Sequence, residues 1–322
     1  MSAVSDSAEQ QVAWEAERRP RAALAAALTA VGLMGGAIIQ LAATAGQPTV
    51  GPLQALTPAL QGQASTPVDP RAAKIAFVDH HTLGVIAGAV VAALGSVALI
   101  WVLLFLYRAT LARKPDLAAA VRPLSVAGPA AVALTTVVRS VALAITSHHF
   151  AHSADKSHDA ADRVLVWAGQ APPTGGLDTA ISVLGVVGGF AVGFAFVIVC
   201  LNAMRVGLLT RFMGVLGIIT GVLFALPIIG SAVPVVQIFW LGAVAVLFYG
   251  SWPNGTPPAW EAGTAQPWPS QQELREARAR AGGTDRRDRR GQAEPPPPEP
   301  QPAPERGTQH PSSKKRKRKR RR

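Results

Sequence analysis

One arginine interrupts an otherwise uncharged apolar run, and six of the seven histidines gather in the polar segments on one side of such runs. These are the residues whose type and position could do chemistry. Arg139 lies seven residues before Thr146, where its run ends, so at 1.5 Å per helical residue it sits roughly 10 Å inside a membrane surface. A guanidinium in hydrocarbon costs at least ~2.5 kcal/mol on insertion scales. It must therefore snorkel outward, pair, or face the bundle interior as part of an anion or substrate site. Asp79 and Asp178, at the same ends of neighbouring runs, are its candidate partners.

The clustered histidines are His80, His81, His148, His149, His152 and His158. If the helix carrying Arg139 continues past the membrane, His148, His152, Asp155 and Asp159 recur at i, i+4, i+7 and i+11 and share one face. Two imidazoles and a carboxylate at that spacing could hold zinc, with Asp79, His80 and His81 adding ligands from across the bundle. The candidate metal set is thus His148, His152, Asp155, His80 and His81. Between the two helically spaced histidines stand His149, Phe150 and Ala151, which supply no general base of the H-E-x-x-H kind. A polar loop of imidazoles with no metal accounts for the same residues. Apart from this possible zinc, no cofactor and no catalytic residue is expected. The sequence has no Walker loop, no dinucleotide fingerprint and no G-x-S-x-G elbow. No acid lies deep in a run, where proton- or sodium-coupled carriers commonly keep one.

The elements that would position these residues are transmembrane helices. A hydrocarbon core of ~30 Å requires roughly 20 apolar residues of helix, and the sequence predicts six such spans, at about 22–45, 82–107, 124–146, 179–204, 212–230 and 232–251. The fold class expected is an all-α polytopic bundle. A polar head, residues 1–21, precedes it, and a disordered C-terminal tail, residues 253–322, follows. The first span, after Arg18, Arg19 and Arg21, resembles a secretory signal with a small-x-small site at Ala43–Ala45, but its 24 residues exceed the usual ~7–15 apolar residues of such a signal and favour an uncleaved span. The segment from Pro227 to Pro234 reads as a tight uncharged hairpin, or else the last two runs form one non-crossing segment.

Orientation follows from the short connections. Arg18, Arg19, Arg21, Arg108, Arg113, Lys114, Arg122, Arg205 and Arg211 fall on one side, against only Arg71, Lys74, Lys156 and Arg163 on the other. By the positive-inside rule both termini are cytoplasmic. An alanine-, glycine- and arginine-rich composition points to a bacterial cell, hence its inner membrane. Glycines at four-residue spacing (Gly32 and Gly36; Gly185, Gly189 and Gly193; Gly217 and Gly221) favour close helix packing, within a bundle or a homo-oligomer. The lone Cys200 excludes an internal disulfide.

The tail carries 17 Lys or Arg against 8 Asp or Glu. Trp252, Trp260 and Trp268 flank its start, suited to the headgroup region, and Ser270 with Glu273 forms a capping box for a short helix. It ends on Lys314, Lys315, Arg316, Lys317, Arg318, Lys319, Arg320, Arg321 and Arg322. That run suits anionic lipid or another polyanion. Nucleic acid is the weaker partner, because no aromatic residue is interleaved with the charges.

The run Arg205 to Gly217, with its Gly-Leu-Leu-x-Arg turn (Gly207 to Arg211) and the glycine-spaced helix beyond, resembles a segment of uncharacterised multi-pass membrane proteins of high-GC Gram-positive bacteria. The stretch Trp252 to Arg278, with Pro-Pro-Ala-Trp and Pro-Trp-Pro-Ser, is similar to the cytoplasmic boundary of such proteins. The likeness spans about a quarter of the chain and implies topology; it assigns no functional residue. Three functions then compete. The first is a non-enzymatic membrane scaffold with a polyanion-binding tail. The second is a small-solute permease or channel using Arg139, and the third a metal-dependent enzyme or sensor using the histidines.

Overall fold

A computed structural model describes residues 2–49, 51, 69–226, 234–253, 255–268 and 273. One compact unit runs from Met1 to Trp268; the second, Pro269–Arg322, lies apart from Glu273 outside the described residues. The proposed tail helix and the basic run Lys314–Arg322 fall there, and the expected hairpin falls on residues 227–233, also outside.

Every described element is helical. The helices are α1 (Ser2–Thr44), α2 (Ala72–His80), α3 (Thr82–Arg113), α4 (Val121–His152), α5 (His158–Leu165), α6 (Gly176–Arg205), α7 (Arg211–Ala225), α8 (Val235–Tyr249) and α9 (Ala259–Ala262). Four stretches are long and apolar enough to cross a membrane: Ser7–Thr44 within α1, and the whole of α3, α4 and α6. The apolar helices α7 and α8 have 15 residues each, roughly 22 Å of helix and short of the usual span. Leu24, Leu28, Leu94, Trp101, Leu134, Val187 and Phe194 are all exposed along the long helices. So much outward apolar surface suits contact with lipid.

The polar head does not form a separate piece, because α1 runs unbroken from Ser2 through Pro20 into the apolar segment. It packs along α3 and α8; α4 lies against α3 and α6, and α7 rests on α6. Small residues set the close approaches. A Cβ on Gly32 would stand 2.7 Å from the Gly95 backbone, and one on Gly193 2.6 Å from the Gly221 carbonyl. Glycine spacing is therefore used within the chain, where it brings backbones together in a setting without a hydrophobic force between helices. Between α7 and α8 the bridge is Trp240, fully buried, whose indole donates to the Met213 carbonyl at 2.9 Å.

At the arginine-rich end the chain doubles back after α8. Trp260 is 2% exposed instead of lying at a headgroup surface, and its indole N–H donates to the Leu208 carbonyl at 2.9 Å. Its ring packs against both Phe105 and Phe248, which also touch each other. The turn it covers needs Gly207, with φ +82°, since a Cβ there would run into the Gln266 carbonyl. Thr210 then caps α7 by accepting from the Met213 N–H. Arg113 is buried beneath Trp260, paired with Glu15 of α1 and donating to the Ala259 carbonyl at 2.6 Å.

Candidate functional site

The opposite, histidine-bearing end is built differently. Here α2, α5 and the end of α4 form a small second core around Ile75, Phe150, Ala161, Val164 and Leu165. Ser157 opens α5 as its N-cap, accepting from the Ala160 N–H. An ionic cluster ties this cap together: Asp69 with Arg71 at 2.8 Å, Arg71 with Asp162 at 2.8 Å, and His158 Nδ1 2.7 Å from Asp69. Burial pushes the Asp69 carboxyl up, but hydrogen bonds from Arg71 and His158 outweigh it and hold the group below its ordinary range. The bond to Asp69 raises Arg71 in turn.

Beneath this cap lies a cavity of about 370 Å³ with Arg139 in its wall. The segment following α5 descends to meet the arginine. Arg139 Nε donates to the Trp167 carbonyl at 3.2 Å, and Nη2 lies 3.4 Å from the Val166 carbonyl. These carbonyls close the C-terminal end of α5, where a cation is favoured. Gly169 permits the turn, with φ +71° and an Arg139 nitrogen 2.9 Å from where a Cβ would stand. Arg139 pairs with neither Asp79 nor Asp178. Asp178 instead caps α6, accepting the backbone N–H groups of Thr174, Gly175 and Thr179 at 2.8 Å each.

The rest of the lining sets the site's character. Lys74 lies there with its ammonium 2.6 Å from Gln170 Oε1, along with Gln40, Thr136 and Ser147. The Ser147 hydroxyl is fully buried and has no hydrogen-bond partner among the described residues. Among the described residues no carboxylate lines the cavity, and neither Arg139 nor Lys74 forms an ion pair. Two cations facing a half-enclosed polar space without counter-charge can bind an oxyanion.

The expected metal set is only partly assembled. His148 and His152 come together with Asp79 so that one ligand atom from each lies within 4.8 Å of the others. His148 Nδ1 is 3.1 Å from Asp79 Oδ1, and His152 Nδ1 is 3.0 Å from the His148 carbonyl. The other three candidates stand apart. His80 is exposed, and His81 turns onto its own helix, its ring 4.0 Å from Phe77. Asp155 is lost to the cluster because α4 stops at His152, where Ser153 takes an extended conformation, so the helical face does not continue. It accepts from the Ser157 N–H, which helps hold its carboxyl below the usual range, and lies 3.5 Å from Arg163.

Sequence reasoning missed Lys74, Gln40, Gln170 and Ser147 as neighbours of Arg139. The only available hint was that Lys74 is one of just four cations on its side. Comparison of the chain with protein-family models, with curated proteins and with solved structures finds no match.

Proposed function

We propose that this is a membrane protein that takes a small oxyanion-bearing solute, a carboxylate or a phosphate, into the cavity around Arg139. The observation that carries this reading is Arg139 held by two backbone carbonyls, beside Lys74, in a cavity that no carboxylate lines among the described residues. Its volume, about 370 Å³, suits a metabolite-sized molecule. Val85, Leu143 and Trp167 provide apolar walls, and the buried Ser147 hydroxyl is a ready donor. In this reading all six apolar segments cross, α7 and α8 included, and the arginine-rich end with both termini faces the cytoplasm. The cavity then opens on the outer face of a bacterial inner membrane, as in the uptake step of a permease.

Titration calorimetry of the purified chain with inorganic phosphate and with succinate tests the binding. One of the two should bind, and Arg139→Gln should weaken it at least ~10-fold, the loss of about 1.4 kcal/mol. Absence of binding by both anions would overturn the reading. Flux in proteoliposomes separates a permease from a receptor that only binds.

The rim supports a second, metal-dependent reading. His148, His152 and Asp79 link α4 to α2, with His148 and Asp79 directly following Ser147 and Val78 of the cavity wall. Zinc held by one ring nitrogen of each histidine, with Asp79 as third ligand or as orienter of His148, would pin α2 over the cavity. Equilibrium dialysis against zinc should show one site that His148→Ala with His152→Ala removes. Equal retention of zinc by the double variant would dismiss it.

A further inference from the structure

The arginines counted above only as orientation signals converge in space at the opposite end. Arg18 and Arg21 share a face of α1, Arg108 ends the apolar part of α3, and Arg122 lies in the first turn of α4. All four line one groove of about 510 Å³. Its aromatic support is Trp14, with the Arg18 guanidinium 5.0 Å and that of Arg108 5.6 Å from the ring centroid. Such stacking holds the charges in place. Among the described residues no carboxylate lines the groove. Glu17 pairs with Arg18 at 2.9 Å from the exposed side, and among the described residues Arg21, Arg108 and Arg122 form no ion pair.

Polarity in this groove runs along the helix axis. Trp101, 60% exposed, stands seven residues and roughly 10 Å deeper than Arg108 on α3, on the same face by the helical period. A cationic mouth at helix ends above an exposed apolar wall matches one molecule, a phospholipid with its phosphate among guanidinia and a chain against the indole. Charge for orientation alone requires neither convergence of three helices nor the aromatic floor. We infer that this groove is a specific site for an anionic phospholipid of the inner leaflet. It is independent of the oxyanion cavity, which lies at the other end of the bundle.

The test is native mass spectrometry of the full chain, purified from vesicles of equal phosphatidylglycerol and phosphatidylcholine and washed at about 0.5 M salt, where screening reaches within ~4 Å and strips lipid held only by the charge of the terminal basic run. The parent protein should retain one phosphatidylglycerol in preference to phosphatidylcholine. Arg108→Gln with Arg122→Gln should lower that occupancy at least 5-fold, while Arg108→Lys with Arg122→Lys retains most of it and controls for folding. Trp101→Ala should lower it too, with every charge intact. Equal retention of the two lipids, undiminished phosphatidylglycerol in the glutamine variant, or its displacement by millimolar inorganic phosphate would overturn the assignment.

Discussion

Arg113 and Arg139 both sit on long apolar helices, and the protein treats them in opposite ways. Arg113 is sealed at the arginine-rich end, its side chain wholly buried against Glu15 and the Ala259 carbonyl beneath Trp260. Arg139, at the histidine-bearing end, meets two backbone carbonyls and a cavity. A buried charge with a carboxylate partner has its field consumed by that partner and serves architecture. One held by neutral dipoles keeps most of its field for a solute. The location of the missing carboxylate, more than burial itself, distinguishes a fastening from a site.

The strongest way to break that contrast is Glu15→Ala. It strands Arg113 without counter-charge, and loss of one partner of a buried pair costs roughly 3–5 kcal/mol. Denaturant unfolding in detergent should register it, and Arg113→Met added to Glu15→Met should recover most of the loss. A cost under about 1 kcal/mol would mean that Arg113 is no fastening. Arg139→Gln should do the reverse, costing about 1 kcal/mol or less in stability through its carbonyl bonds. Anion affinity, measured by calorimetry, is what should fall.

A subtler probe is Gly169→Ala. A non-glycine residue at φ +71° costs on the order of 1–2 kcal/mol, and the new methyl would crowd the guanidinium. Affinity should fall with Arg139 itself unchanged; an unaltered affinity would show that the turn does not position it. The smallest effect expected is in acid. Because the folded cap holds Asp69 below its ordinary value of 3.8, its contribution is complete above that value and is lost as pH falls through the lower one. Trp167 is the only tryptophan at that end, so its fluorescence in a variant lacking the others should report loosening at low pH. Asp69→Asn should abolish the pH dependence.

Arg139 was legible because a single charge in an uncharged run is costly in a membrane and has to snorkel, pair or face the bundle interior. Its partners were not, because the Val166 and Trp167 carbonyls come from a segment 27 and 28 residues away that carries no charge to mark it. His148 and His152 were legible as a pair, since four-residue spacing survives in any helix, and Asp79 was legible as a reagent from across the bundle. Asp155 was misplaced for a local reason: the helical face was extended past His152, where the backbone turns extended at Ser153. Glu15 had no signal at all. In a polar head it looks like any solvated acid, and only the return of residues 255–268 buries it.

Hydropathy and charge pattern, being properties of composition along a line, determined the all-helical class, the long apolar helices and the singularity of Arg139. Which cations find carboxylates and which are left facing a cavity was decided by tertiary structure alone. Contacts between α1, α3 and the segment after α8, or between α4 and the segment after α5, depend on how chain ends fold back. A charge acquires its role from the distance to its nearest opposite, and no pattern along the chain contains that distance.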